Sequence, residues 1–429
     1  MKSAPARDGG SGTRPMDLWL PLIPAFAISY NGLFAAAAAA GAPMNNGIVV
    51  ATEILIIALA IGLSLYRDGV RREDTPSILF LGTIVGVALA GSILFERPMI
   101  EGVRNVLIIV GFTMLGSRFD EPMLRRAFVL SCAVALGVLL IEISNVETYA
   151  SIFRPADYLS KTRGYVVNEF DDIGLAAGTV QYEGRFSFGM YSGPRTSSIF
   201  LEQVGINCFS IVSMVYLCTM WPRLPILQRI LTLATVILIV VTNNARMSAI
   251  LAPLFLIGYF VFPRLPRYWA ALIPPLSLAA TFIIFAFARV RYGDDLIGRI
   301  ATTYRVLNNM SAGDLILGAP ALIARTGDTG YGFVIASMGL IGAIAYWAYL
   351  TIVVPQSSPI ARRAAWAASV YIYIWLLIGG TGTFSMKSAP LLWLLLGYMR
   401  ATHMPPVSVK RLKAGFAPRR PDMLRGATG

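Results

Sequence analysis

Apolar residues in this chain come in long unbroken runs, not in the three- or four-residue beat of a soluble amphipathic helix. Twelve such segments follow one another, at about 18–40, 48–66, 78–95, 103–117, 127–144, 198–221, 230–242, 248–263, 269–288, 332–354, 365–380 and 389–400. An α-helix needs roughly 17–25 residues to cross the hydrocarbon layer. The shortest run, 230–242, has to borrow neighbouring polar residues to reach the interface. The pattern predicts an all-α polytopic membrane protein of about 12 transmembrane helices.

The polar stretches between the runs orient it. Counted from a cytoplasmic N-terminus, the inward loops hold Arg67, Arg71 and Arg72; Arg118, Arg125 and Arg126; Arg223 and Arg229; Arg264 and Arg267; and Arg362 and Arg363. The short outward loops hold fewer: none at 41–47, and Lys387 alone at 380–388. That asymmetry is the positive-inside pattern and places both termini in the cytoplasm. The expected organisation is a disordered tail at 1–17, helices 1–5 within 18–144, an outward loop at 145–197, helices 6–9 within 198–288, a second outward loop at 289–331, helices 10–12 within 332–400, and a basic tail at 401–429. The first apolar segment ends in an alanine run like that before a signal-peptide cleavage site, but it is long for one, and cleavage is not expected.

Composition narrows the function. Of 429 residues 56% are hydrophobic and 14% charged, mean hydropathy is +0.65, and the net charge is +13. Basic helix ends account for that charge, so no nucleic-acid partner is expected. Cys132, Cys208 and Cys218 fall in apolar segments without paired spacing, and His403 is the single histidine. This set argues against a zinc site, any other metal centre and a histidine-based triad. No GxxxxGK[ST] loop is present, and no cofactor is expected.

The two long loops are the natural places for chemistry. The first carries Arg154, Lys161, Arg163, Arg185 and Arg195, the second Arg289, Arg291, Arg299, Arg305 and Arg325. Long loops cross a membrane largely regardless of charge, so these arginines have a bland reading. The functional reading is an anionic ligand, since guanidiniums bind phosphate through paired hydrogen bonds. In RFSFGMYSGPRTSSIFLEQVG, a helix opening at about Ser197 would put Arg195, Ser198 and Glu202 on one face. Glu202 is either a general base, its pKa raised by burial unless Arg195 or Arg246 pairs with it, or one half of an ion pair locking two helices. Glu142 reads as reaching the interface, and Glu53 as facing the same cavity. Arg246, in the turn TNNARMS, is either part of a helix cap or a ligand residue. Asp328 reads as a helix N-cap or as a polar group beside the second-loop arginines. Tyr331, Phe186, Phe188 and Tyr191 could stack on sugars or anchor at the interface.

The pattern Arg195-x-x-Ser198-x-Phe200-x-Glu202, the later Thr242-Asn243-Asn244-Ala245-Arg246-Met247-Ser248, and Asp328 to Tyr331 followed by Gly339-Leu340-Ile341-Gly342 occur in that order. They resemble the three elements of the O-antigen ligase and Wzy-type polysaccharide polymerase superfamily. The resemblance implies a metal-independent glycosyltransferase of the bacterial inner membrane, joining undecaprenyl-pyrophosphate-linked repeat units on the periplasmic face. Its partners would be lipid-linked oligosaccharides, membrane lipid and, optionally, a chain-length regulator. It implies Glu202, Arg195 and Arg246 as catalytic, with Ser198, Arg289, Arg291, Arg299, Asp328 and Tyr331 holding substrate or pyrophosphate. Ligases of the superfamily carry a histidine in the second large loop; this chain has none there, so a repeat-unit polymerase for exopolysaccharide is expected. The alternatives are the ligase itself and a transporter or flippase of lipid-linked oligosaccharides. Arg67-Asp68-Gly69-Val70-Arg71-Arg72 is similar to the basic loop of major facilitator carriers, but the two halves show no repeat.

Overall fold

The computed structural model describes residues 18–165, 173–179, 186–287, 295–327 and 329–404, and among these it is all-helical, with no strand. Among the described residues ten helical spans are long and apolar enough to cross a membrane, making this a multi-pass membrane protein. They contain α1 (Leu22–Ala39), α2 (Asn46–Asp68), α3 (Thr75–Phe95), α4 (Ile100–Ser117) and α5 (Glu121–Ser144), followed by two short helices, α6 (Val146–Phe153) and α7 (Pro155–Arg163). Next come α8 (Gln203–Met220), α9 (Ile226–Asn243), α10 (Arg246–Val261) and α11 (Ile273–Phe287). After the shorter α12 (Leu296–Asn308) and α13 (Ala312–Leu317) the tenth long span is α14 (Gly330–Ile352). The last two apolar segments also form helices, α15 (Pro359–Ile378) and α16 (Ala389–His403). Both fall short of the ten: α15 opens on Arg362 and Arg363, and α16 has 15 residues.

Side-chain caps set several boundaries. Asn45 accepts from Ile48 N at 3.0 Å to start α2, Asp120 from Met123 N at 2.8 Å to start α5, and Asp295 from Gly298 N at 2.8 Å to start α12. Each supplies an acceptor for one of the orphan donors of a helix N-terminus.

The bundle has a centre and a rim. In the span containing α8, 89% of residues in the apolar window are buried, against 22% for those containing α3 and α11. The core is therefore α8 with α4, α15 and α16, and the rim helices turn their Leu and Ile outward, as a lipid-facing layer requires. Small residues let α4 and α16 close on each other. A Cβ on Gly116 would collide with the Leu394 carbonyl, and one on Gly397 with the Thr113 carbonyl.

The two ends of the bundle differ. At one end Arg118 is wholly buried. Its guanidinium pairs with Asp74 and donates to Gly69 O at 2.7 Å and Ser64 O at 3.3 Å, tying α2, the 72–74 turn and α4 together. At the other end α8 begins, α9 turns into α10, and α15 gives way to α16. The short helices α6, α7 and α12 pack at this end. The candidate site lies here.

Candidate functional site

The segment leading into α8 is not the helix its apolar residues suggested. Residues Ser198–Phe200 form one 3-10 turn, Ser198 and Leu201 take φ of +49° and +64°, and Glu202 is extended, with α8 starting only at Gln203. Left-handed φ values are costly for residues with a side chain, so something must hold this turn. Glu142, buried near the end of α5, does so. Its carboxylate accepts from Ser197 N at 2.9 and 3.0 Å, Ser198 N at 2.6 Å and Ser197 Oγ at 3.1 Å. Glu142 is an internal anchor, not a residue reaching for the interface.

The turn overturns the single-face arrangement of Arg195, Ser198 and Glu202. Ser198 is fully buried and donates to Ala135 O at 2.7 Å, so its hydroxyl points into the bundle. Arg195 goes the other way. Its Nε donates to Asn243 O at 2.7 Å and its Nη2 to Asn244 O at 2.5 Å. Asn243 returns the contact through Nδ2, to Thr196 O at 2.6 Å and Gln203 O at 3.2 Å. Asn244 closes α9 with φ +50° and accepts from Phe188 N at 2.9 Å. The TNNARMS turn thus clamps the strand-like approach to α8, and Arg246 begins α10 beside it.

These contacts frame a cavity of about 320 Å³. Arg195, Arg246 and Arg299 all line it, with Gln203, Asn207 and Asn243 on the polar side and Phe186, Ile250 and Trp375 on the apolar side. Arg299 reaches it from α12 and donates to Ile378 O at 3.2 Å. Nearby, Thr303 Oγ1 lies 2.8 Å from both Leu377 O and Thr329 Oγ1. Three arginines from three distant parts of the chain line one cavity, and no described residue of the lining is acidic. Such a wall can hold a polyanion through charge-assisted bonds, and its backbone ties keep Arg195 pre-positioned.

Glu202 faces a second cluster. Lys387 Nζ is ion-paired with Glu202 Oε1 and donates to Phe200 O at 2.9 Å; Arg163 Nη1 is 3.8 Å from the same carboxylate, and the Tyr165 hydroxyl donates to it at 3.4 Å. Burial alone would raise the Glu202 carboxyl, but the Lys387 and Arg163 cations outweigh it and hold the group below its ordinary value. Burial in turn pushes the Lys387 ammonium down to about 8, against the pull of Glu202. The raised pKa expected for Glu202 is thereby corrected, because its partners are Lys387 and Arg163, not Arg195 or Arg246. Glu53, expected on the same cavity, is buried in this cluster instead. It accepts from the Tyr30 hydroxyl and from Arg104, whose Nε stands at 3.1 Å.

Among the remaining expected site residues, Arg289, Arg291 and Asp328 lie outside the described residues, as does Arg185. The N-cap of α14 is Thr329, which accepts from Gly332 N at 3.2 Å, so the cap assigned to Asp328 belongs to its neighbour. Tyr331 is buried at 7% exposure and is not part of the cavity lining, which removes it as a stacking platform. Gly339 breaks α14 with φ +63°, and a Cβ there would collide with the Ile316 carbonyl of α13. Sequence reading passed over Gln203, Asn207 and Trp375, and gave Lys387 no chemical role. The one available signal for Lys387 was a lone cation in an otherwise uncharged outward loop.

Comparison with protein-family models, curated proteins and solved structures returned no match for this chain.

Proposed function

We propose that the chain is a polysaccharide polymerase of the bacterial inner membrane, joining lipid-diphosphate-linked repeat units on the periplasmic face. In this reading α15 and α16 complete twelve spans, both termini are cytoplasmic, and the arginine cavity opens toward the periplasm. The observation that carries it is the convergence of Arg195, Arg246 and Arg299 on one cavity at the end of the bundle where α6, α7 and α12 pack.

The reaction asks for what that cavity offers. An acceptor hydroxyl oxygen bonds to the anomeric carbon of the growing chain, and the bond from that carbon to the diphosphate oxygen breaks. The electron pair leaves with the diphosphate, where three guanidiniums stabilise the developing charge. The hydroxyl proton passes through a bridging water to a carboxylate, and the candidate is Glu202, next in the chain to Gln203 but facing Lys387 and Arg163 instead of lining the cavity. Held ionised by Lys387 and Arg163, it is a weak base. Stabilisation of the leaving group therefore carries most of the rate.

The test is a strain lacking this gene, with its lipid-linked saccharides resolved by size and membrane face. Single repeat units accumulating on the periplasmic face are expected. Units trapped on the cytoplasmic face would make the protein a transporter, and long lipid-linked chains awaiting transfer would make it a ligase.

A further inference from the structure

We propose that the cleft between α9 and α10 seats an acyl chain of an anionic phospholipid. The lipid's phosphate lies against Arg229, Arg264 and Arg363, at the end of the bundle opposite the candidate site. The inference goes beyond the proposed function and does not depend on which reaction the chain performs.

Both helices pack on α8, and the cleft lies between them. Its volume is about 650 Å³, within the roughly 300–1,000 Å³ of ligand sites. Met214 and Leu217 of α8, Val236 and Val240 of α9, and Pro253 and Leu256 of α10 give its character, and no charged residue lines it among the described residues. On α9 the lining runs from Leu233 to Val241, eight residue steps or about 12 Å at 1.5 Å per residue. Half of the ~30 Å hydrocarbon layer is ~15 Å, so the slot is about one leaflet deep. Ile237, Leu256 and Phe260 are each more than half exposed, which opens the cleft sideways to a chain from the bilayer.

One end of this slot is basic. Arg229 stands one turn before Leu233 on α9, and Arg264 one turn after Phe260 at the end of α10. The Arg229 guanidinium lies over the ring of Trp221, 5.2 Å from its centroid, and Trp221 is part of the lining. Arg363 reaches in from α15. It lies over the ring of Tyr259 at 4.0 Å and donates to Tyr259 O at 2.9 Å, and Tyr259 also lines the cleft. Arg264 donates to Phe260 O. Two aromatic rings of an otherwise apolar slot thus each carry a guanidinium. Arg229 Nε is buried without a hydrogen-bond partner, a donor that a phosphate oxygen would satisfy. Among the described residues none of these three arginines is ion-paired, while Glu121 at the same end pairs with Arg125 and Arg223.

Basic helix ends are general at a cytoplasmic face, and in the orientation proposed above this is that face. What sets these three apart is that rings and carbonyls hold them at the mouth of an apolar slot. Basic pockets between membrane helices on that side take anionic headgroups. A phosphodiester with no cation of its own fits three guanidiniums, whereas a zwitterionic headgroup brings an ammonium that they repel.

The experiment places the full chain in phosphatidylcholine nanodiscs with a trace of phosphatidylglycerol carrying a diazirine, either at the end of one acyl chain or beside the phosphate, and maps adducts after irradiation. Chain-end adducts are expected around Val240 and Leu256, and headgroup adducts around Arg229 and the start of α15. Unlabelled phosphatidylglycerol should displace both, and phosphatidylethanolamine at the same excess should not. Arg229→Gln and Arg363→Gln should each weaken labelling by about fivefold. Equal competition by phosphatidylethanolamine would make the cleft an ordinary lipid contact and overturn the proposal. Headgroup adducts at the Arg195 and Arg246 end, or chain adducts spread over the outer faces of α2, α3 and α11, would overturn it as well, with no variant needed.

Discussion

Two groups of cations flank residues 195–207, and they are built differently. On one side Arg104, Arg163 and Lys387 are interleaved with Glu53 and Glu202, each carboxylate held by a cation and a tyrosine hydroxyl. On the other side Arg195, Arg246 and Arg299 share a cavity whose described lining holds no carboxylate, and two of them are steadied by main-chain carbonyls. A buried ion pair neutralises its members and makes each depend on the other. A main-chain carbonyl holds a guanidinium in place without adding a formal charge of its own. The first group is thus a clasp between α7, the start of α8 and the loop before α16, and the second is the surface proposed to bind the anion. Removing a residue from each should do different damage.

The largest effect is expected on the cavity side. Arg246→Ala and Arg299→Ala should each slow repeat-unit joining by about 100-fold or more, as loss of one preorganised donor to a developing anion does elsewhere. Their melting temperatures should stay within a few degrees of the parent's. Rates in membranes at matched protein levels check this, and near-normal rates in both variants would dissolve the distinction between the groups.

On the clasp side stability should suffer first. Lys387→Ala leaves Glu202 without its nearest cation and should cost roughly 3–5 kcal/mol, read by thermal unfolding in detergent. Replacing both partners, Glu202→Met with Lys387→Met, should recover most of that loss, because neither charge is then stranded. A double variant no better than Lys387→Ala would mean that the pair is not what matters there.

Acid should expose the same clasp. The folded Glu202 carboxyl is lowered, so its contribution is full above the unfolded value of about 4.3 and fades as pH falls through the lower folded value. Glu202→Gln should flatten that acid limb of the melting curve while leaving the limbs of other groups in place. An unchanged limb would contradict the pairing.

Ser198→Ala should do least. It removes one buried hydrogen bond, to Ala135 O, at about 1–2 kcal/mol, with no change in joining rate. A large rate loss at full stability would restore Ser198 to the site.

The misreading of Ser198 shows where legibility stopped. Hydropathy alone located the ten described helices long and apolar enough to cross a membrane, because a span must satisfy its own backbone and be apolar over its length. The approach to α8 escaped that logic. Ile199, Phe200 and Leu201 read as the start of a helix, yet the turn they make is fixed by Glu142, 55 residues away on α5. In the same way Glu202 could be recognised as a costly carboxylate, but its partner Lys387 lies 185 residues further on. Arg195, Arg246 and Arg299 were legible as arginines at one end of the bundle. Their meeting on one cavity depends on the turn between α9 and α10 and on the docking of α12, which no local pattern encodes.

The most direct measurement is calorimetric titration of the purified protein with inorganic pyrophosphate, at low salt, for the parent, Arg246→Ala, Arg299→Ala and Arg104→Ala. Binding that weakens at least tenfold in the two cavity variants and persists in Arg104→Ala is the predicted result. Undiminished binding in both cavity variants, or loss confined to Arg104→Ala, would contradict the assignment of the anion site.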